Sequence, residues 1–377
     1  MELSFEEVAK AYFDCRRGKR NSLYALQFEI DLEKNLFDLY EELVGGHYQI
    51  GRSIAFVVEQ PKIREIWAAT FRDRVVHHVI YNRLSPRFYP CFIRDSFACI
   101  PERGSHEASR RLWSGMRSIT RNWQKPSYYL GADVRNFFVS IHKPTLFDIL
   151  APKLTEPWLM ELTKQVVFHD PRTNCFLKSK RAAFDRVPQH KSLWSNPVDR
   201  GLPIGNLTSQ FFANVYLDQL DQFMKHGRRV KYYYRYVDDF VILDDSPEVL
   251  NDLFDEAGSF LKERLKLELH PFKKRLGLVD QGVDFVGYFH KPYRKYPRRR
   301  TVERTKSVVA QWRTSSNPYS ATSLRRLRNS MNSYFGLLRQ SSTYRLRKHI
   351  GDRLCSLFIR PDEKYTKLIL PESISKG

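Results

Sequence analysis

The stretch Tyr232-Tyr-Tyr-Arg-Tyr-Val-Asp-Asp-Phe-Val-Ile-Leu243 is an apolar, aromatic β-run broken by two adjacent carboxylates, Asp238 and Asp239. Side by side in such surroundings, two acids repel one another and lose hydration, a cost of several kcal/mol when nothing compensates it. Exposure at a hairpin tip relieves that cost, and so does a bound divalent cation. Taken alone the pair is weak evidence, because Asp-Asp is common at exposed turns. A second acid strengthens it: Asp133 ends the strand-like Ser127–Val134 and opens Val134-Arg-Asn-Phe-Phe-Val-Ser-Ile141. Oxygen ligands from two neighbouring strands would hold two Mg²⁺ ions about 3.5–4 Å apart, with Mn²⁺ as a substitute, an arrangement suited to phosphoryl transfer. Between the two acidic segments lies Gly201-Leu-Pro-Ile-Gly-Asn-Leu-Thr-Ser-Gln210, whose glycines permit close backbone approach and whose end opens a helix.

Outward from these segments the spacing predicts helices within Phe5–Val44, broken near Gly18, a strand-rich Tyr48–Ala68 punctuated at Pro61, and helices over Phe71–Leu84 and Ser105–Trp123. A polar, proline-bearing loop is expected over Asp170–Pro203, then a helix over Leu207–Met224, a strand pair over Tyr232–Leu243, a helix over Asp245–Leu265 and a strand or hairpin over Gly282–Phe289. Helical patterning dominates from Arg304. The middle third thus reads as a βαββαβ-like sheet with helices on one face, an α+β fold.

Composition narrows the partners. Across 377 residues, 63 Lys and Arg against 42 Asp and Glu leave a formal charge of +21. Between Lys291 and Ile350 sixteen cations face the single acid Glu303, a surplus of fifteen, with Tyr293, Tyr296, Trp312, Tyr319, Tyr334, Phe335 and Tyr344 interleaved. Such a stretch suits a surface that tracks phosphates and packs on sugars or bases. Hydrophobic residues at 42% and aromatics at 14% exclude a disordered chain. No apolar run approaches about 20 residues, so no membrane-spanning helix and no membrane partner are expected, and Met1–Arg20 has no apolar core of a secretory signal. Five scattered Cys without a C-x-x-C pair point to reduced thiols and a cytoplasmic setting. There is no phosphate-binding G-x-x-x-x-G-K-[ST] loop.

In this order and spacing the segments resemble the palm of a reverse transcriptase. Tyr236-Val-Asp-Asp239 is similar to that family's Tyr-x-Asp-Asp box, Asp133 with Phe137-Phe138 to the preceding catalytic-Asp block, and 201–210 to the block between them. The resemblance runs from about Phe28 to Lys348. Pro188-x-x-Lys-Ser-Leu193, the Ser209-Gln210 pair, Lys62-Ile-Arg64-Glu-Ile, Phe71-Arg-Asp-Arg-Val-Val-His-His78 and Leu267-Glu-Leu-His-Pro271 are most similar to the enzymes of bacterial diversity-generating retroelements. Ile100-Pro-Glu-Arg-Gly-Ser105 departs from them, since they tend to carry a glycine- and lysine-rich turn there.

The resemblance implies a right-hand polymerase: fingers with N-terminal helices over 1–125, an RRM-like βαββαβ palm over 126–290 with an elaborated loop insertion at 152–200, and a basic helical thumb over 291–377. It implies an RNA-directed DNA polymerase making cDNA from a template RNA, a primer and dNTPs, with errors at adenines and a small basic accessory protein. The alternatives are a defence enzyme copying its own structured noncoding RNA against phage, and a catalytically inert RNA-binding scaffold. Carried over by position, Asp133, Val134, Asp238 and Asp239 are the metal positions, and Lys273 the candidate general acid for pyrophosphate, with Lys274 close enough to compete. Phe138 matches the ring that abuts the sugar 2′-carbon; Lys62, Arg64, Arg72 and Gln210 are expected at the nucleotide. Asn206, Phe285, Gly287, Tyr288, Arg298, Arg299 and Arg300 are expected at template or primer.

Overall fold

The computed structural model describes residues 2–19, 21–60, 62–356, 358–371 and 374; Pro61, the expected punctuation between two strands, lies outside them. In chain order the elements are α1 (Phe5–Arg16), α2 (Leu23–Glu29), α3 (Leu32–Val44), β1 (Ser53–Val58), β2 (Arg64–Ala68), α4 (Phe71–Phe88), α5 (Ser105–Ile119), β3 (Tyr128–Asp133), α6 (Phe137–Ser140), α7 (Lys143–Leu150), α8 (Pro157–Phe168), β4 (Cys175–Leu177) and α9 (Arg181–Asp185). There follow α10 (Leu207–Gln222), β5 (Tyr232–Tyr236), β6 (Asp239–Asp244), α11 (Pro247–Leu265), β7 (Arg275–Leu278), β8 (Val283–Phe285), β9 (Tyr288–Lys291), β10 (Arg294–Pro297), α12 (Arg299–Arg313), α13 (Ala321–Leu338), α14 (Tyr344–Leu354), β11 (Arg360–Pro361) and β12 (Leu368–Ile369). The central sheet has four strands in the order β5-β6-β3-β7. No helix among the described residues is long and apolar enough to cross a membrane.

The chain divides into two compact units, the first comprising 1–102, 132–240 and 252–274, the second 103–131, 241–251 and 275–377. In the first, β1 pairs antiparallel with β2 in the register Phe56 opposite Ile66. Its other edge is filled by β4, parallel to it, with Ile54 opposite Phe176. This corrects the expected loop: 170–203 supplies a strand, and α8 occupies part of the 152–200 insertion. Three residues of strand inside a proline-bearing polar run carry too little period-2 signal to stand out. The sheet packs through Ala55, Trp67, Phe184 and Leu193, so the insertion also contributes two residues to this core.

Helix α10 is buried along nearly all of its length, including Asp218 and Asp221. An acid without water is disfavoured in its charged form. Burial first, and then the neighbouring Asp221 charge, push Asp218 up to about 7, against the hydrogen bonds it accepts from Gln222.

In the second unit, β8, β9 and β10 form an antiparallel sheet in sequence order. Val286 at φ +45° and Gly287 at φ +89° make the tight turn between the first two strands. Helices α12–α14 enclose a separate core of Leu324, Leu327, Met331, Phe335, Leu338, Ile350 and Leu354, onto which Val309, Trp312 and Leu346 pack. The basic bias of this stretch and its aromatics therefore coexist: apolar faces turn inward and the cations cover what remains.

Because the folded Asp218 carboxyl ionises well above an unfolded one, folding stability is full below the unfolded value and falls as pH rises through about 7. Asp218→Asn should raise the melting temperature, with the gap over wild type opening between pH 4 and pH 7 and levelling above it. Melting curves across pH 4–8 check this, and a gap independent of pH would refute it.

Candidate active site

The Asp-Asp segment rests on a charge buried beneath it. Arg235, in β5, is 2% exposed and Asp221, on α10, is 0% exposed. The Arg235 guanidinium donates from Nε to Asp221 Oδ1 at 2.7 Å and from Nη2 to Oδ2 at 2.6 Å. Its Nη1 donates to the Val237 carbonyl at 2.9 Å, and Tyr233 donates its hydroxyl to the same Asp221 at 2.9 Å. Val237 takes φ +57°, a conformation rare for a β-branched residue, at the turn into Asp238. The bond to its carbonyl holds that turn. The Arg235 main chain is tied as well, accepting from Phe97 and donating to Asp95.

Asp238 is brought to Asp133 by the backbone: Val134 N–H donates to the Asp238 carbonyl at 3.1 Å. Asp133 is 7% exposed at the end of β3, and His270 N–H donates to its carbonyl at 2.8 Å. The Leu-His-Pro turn thereby places Lys273, whose Nζ lies 2.5 Å from Asp133 Oδ1. Lys274 points elsewhere, with its ammonium 4.3 Å from the Phe254 ring centre. Geometry thus separates the two candidates. Burial raises the Asp238 carboxyl above its ordinary range, the Asp133 charge adds to this, and Lys273 and Arg64 oppose it. Two like-charged acids sharing one cationic side chain form an oxygen-rich, electron-rich site. That donor set fits a divalent cation, although among the described residues no three His, Cys, Asp or Glu side chains stand together at ligand spacing. Asp239 is half-buried at the start of β6.

The glycine-bearing loop joins two walls of this site. Gly201 N–H donates to the Ile141 carbonyl and Leu202 N–H to the Phe138 carbonyl, at 2.8 and 2.9 Å. On the other side Trp67 N–H donates to the Ile204 carbonyl at 2.7 Å. A Cβ on Gly205, at φ +131°, would stand 2.9 Å from Ile66, so that approach requires glycine. Phe137 is core and Phe138 half-buried beside it, ring centres 5.4 Å apart. Buried Glu65 on β2 accepts from Ser192 Oγ at 2.5 Å and Leu193 N–H at 2.9 Å, which fastens the Lys-Ser-Leu segment to the strand carrying Arg64.

Several expected contacts are revised. Asn206 is 6% exposed and its side-chain oxygen accepts from Ala69 N–H at 2.9 Å, a bond that ties the loop to the end of β2. Arg72 pairs with Glu42 and lies over the Tyr48 ring at 5.1 Å. Phe285 and Tyr288 are 2% and 4% exposed, and Tyr288 donates its hydroxyl to the Leu337 carbonyl, so both are core anchors of the second unit. Gly287 forms the half-buried turn between them, its carbonyl accepting from Arg298 N–H at 3.0 Å. Arg298 pairs with Asp284 at 2.6 Å and Arg299 with Glu303 at 2.6 Å; both, like Arg300, are exposed. Lys62, Arg64 and Gln210 are exposed, and the Gln210 side-chain oxygen accepts from Cys99 Sγ at 3.4 Å. Arg235, Asp221 and Glu65 had no assigned part in the sequence reading. A lone Arg inside an aromatic strand was the available signal, since a buried guanidinium demands an acid.

Residues 59–290 match the reverse transcriptase (RNA-dependent DNA polymerase) family. An uncharacterized 91 kDa protein in the cob intron of Schizosaccharomyces pombe is 25% identical over 155 residues, covering 41% of this chain and 16% of that protein. The group II intron-encoded protein LtrA of Lactococcus lactis subsp. cremoris is 21% identical over 321 residues, covering 68% of this chain and 49% of LtrA. The chain thus spans at most about half the length of these curated relatives. Apo telomerase from Candida tropicalis superposes with a TM-score of 0.50 at 11% identity, covering 81% of this chain and 61% of that one, a likeness of fold.

Removing one partner of the buried pair strands the other charge. Arg235→Met should cost about 3–5 kcal/mol of stability, and Asp221→Leu/Arg235→Met should recover at least half of it. Urea unfolding of the three proteins decides this; equal stability of wild type and Arg235→Met would refute the assignment.

Proposed function

The chain belongs to the reverse transcriptase family, and from that membership we propose that it is an RNA-directed DNA polymerase whose active site is Asp133, Asp238 and Asp239. The observation that carries the proposal is the joining of Asp133 to Asp238 through the Val134 N–H, with Lys273 on Asp133. In this reading fingers lie within 1–125, the palm within 126–290 and a basic thumb within 291–377.

Asp133, Asp238, Asp239 and the Val134 main chain are the groups that would hold divalent cations, Mg²⁺ or Mn²⁺, which would supply Lewis-acid charge for nucleotidyl transfer. Burial and Asp133 raise the Asp238 carboxyl, and Lys273 and Arg64 oppose that rise, which favours the charged form a cation would need. Lys62 and Arg64 meet the triphosphate as exposed cations on one side of the site. Lys273 Nζ lies 2.5 Å from Asp133 Oδ1, and in this reading Lys273 is the donor for departing pyrophosphate. The half-buried Phe138 ring bars a ribose 2′-hydroxyl. Gln210 faces the incoming base, while the Gly287 turn and Arg298–Arg300 meet the primer backbone. Template RNA, primer and dNTPs are the ligands.

The favoured setting is a diversity-generating retroelement, supported by the Lys191-Ser-Leu193 and Ser209-Gln210 segments. Copying a structured noncoding RNA for antiphage defence is the second reading, favoured by the departing turn at Ile100–Ser105.

Asp238→Ala/Asp239→Ala should lower dNTP incorporation on primed RNA by about a thousandfold or more, the equivalent of several kcal/mol of lost charge stabilisation. Equal incorporation by variant and wild type would overturn the catalytic assignment. Phe138→Ala should raise ribonucleotide use about tenfold or more; unchanged sugar selectivity removes Phe138 from that role. Sequencing of co-purified RNA and its cDNA separates the two settings: errors scattered at adenines indicate diversification, and faithful copies of one structured RNA indicate defence.

A further inference from the structure

Helices α12 and α14 line a groove of about 480 Å³ in the second unit. The lining residues repeat one spacing on both walls. Lys306, Val309, Ala310 and Arg313 fall at i, i+3, i+4 and i+7 on α12; Leu346, His349, Ile350 and Arg353 do so on α14. Each set therefore lies along one helix face, about two turns long. The floor is aliphatic, from Val309, Ala310, Leu346 and Ile350, and the rim is cationic, from Lys306, Arg313 and Arg353. Arg313 Nη2 donates to the Arg353 carbonyl at 2.9 Å and joins the walls at one end.

Among the described residues no acid balances this rim. Between Arg298 and Leu354 the only carboxylates are Glu303 and Asp352. Glu303 is held by Arg299, and Asp352 by Lys348 at 3.1 Å and by the Tyr365 hydroxyl at 2.7 Å. Among the described residues, no carboxylate pairs with Lys306, Arg313 or Arg353. Among the described residues no Phe, Tyr or Trp lines the groove, and His349 is its single ring, so successive bases find no platform on which to stack. A long aliphatic trough with a one-sign rim matches a different ligand.

The geometry points to a docking site for an acidic amphipathic helix of a partner protein, its aliphatic side chains at i, i+3 or i+4 and i+7 seated on the floor and its Asp or Glu residues meeting Lys306, Arg313 and Arg353. Helix-in-groove recognition works by this division of labour, the apolar anchors giving affinity and the flanking charges orientation and association rate. A basic accessory protein would be repelled by this face.

The test uses the full chain at physiological salt and a fluorescein-labelled sixteen-residue peptide with Leu at helical anchor spacing and Glu elsewhere. A scrambled peptide of identical composition and an RNA–DNA duplex serve as the comparison probes. Fluorescence anisotropy should show the amphipathic peptide binding at least tenfold tighter than the scrambled one. Ala310 is exposed, so Ala310→Glu should keep the wild-type melting temperature while weakening peptide binding at least tenfold; Lys306→Glu should weaken it in the same direction. Absent peptide binding, equal binding of the two peptides, or full binding by Ala310→Glu would overturn the site. So would a duplex that displaces the peptide and is itself weakened tenfold by Ala310→Glu, which would assign the groove to nucleic acid.

Discussion

A buried guanidinium, Arg235, sets the geometry of the turn into Asp238. Arg235 spends its donors on Asp221, Asn214 and the Val237 carbonyl, and its own main chain is bonded to Asp95 and Phe97. Taking two ions out of water costs several kcal/mol each, so such a pair adds little net stability over well-packed apolar residues. Its contribution is a single permitted arrangement. An apolar replacement would leave the Val237 carbonyl without this donor and the turn free to relax from φ +57°. Asn214, on the same helix as Asp221, bonds the Ala98 carbonyl at 2.6 Å, so α10 organises both β5 and the segment beside it.

The electrostatics divide the same way. The protein is strongly basic, yet its functional centre is acidic and partly shielded from water. Burial and Asp133 resist ionisation of Asp238, while Lys273 and Arg64 favour it. This balance leaves a site short of positive charge in a protein rich in it. The remaining cations separate by partner: Arg72 belongs to Glu42, Arg298 to Asp284, and those of the α12–α14 groove to no acid among the described residues.

Much of the fold was legible because periodicity survives in long elements. The helices at Phe71–Phe88, Ser105–Ile119 and Pro247–Leu265 fall where their spacing places them, within a few residues. The strand pair around Asp238 and the hairpin near Gly287 were legible for a similar reason, alternation bounded by turn residues. Strand β4 was not, because three residues next to a polar loop become a strand only when β1 offers a free edge. Helices α7 and α8 also went unread in a middle third dominated by the sheet pattern.

By itself the sequence determined the family, the acids and their order, since residue type and spacing are properties of the chain. Only the tertiary structure decided which candidates are exposed and which are buried or paired within the chain. Arg72 is paired with Glu42, thirty positions away, and Asn206 is bonded to an N–H 137 positions away. Phe285 and Tyr288 are buried, and the Tyr288 hydroxyl bonds the Leu337 carbonyl 49 positions away. Lys273 was separated from Lys274 by a turn hydrogen-bonded to Asp133. Burial and partnership arise from contacts between distant segments, and local pattern carries no record of them.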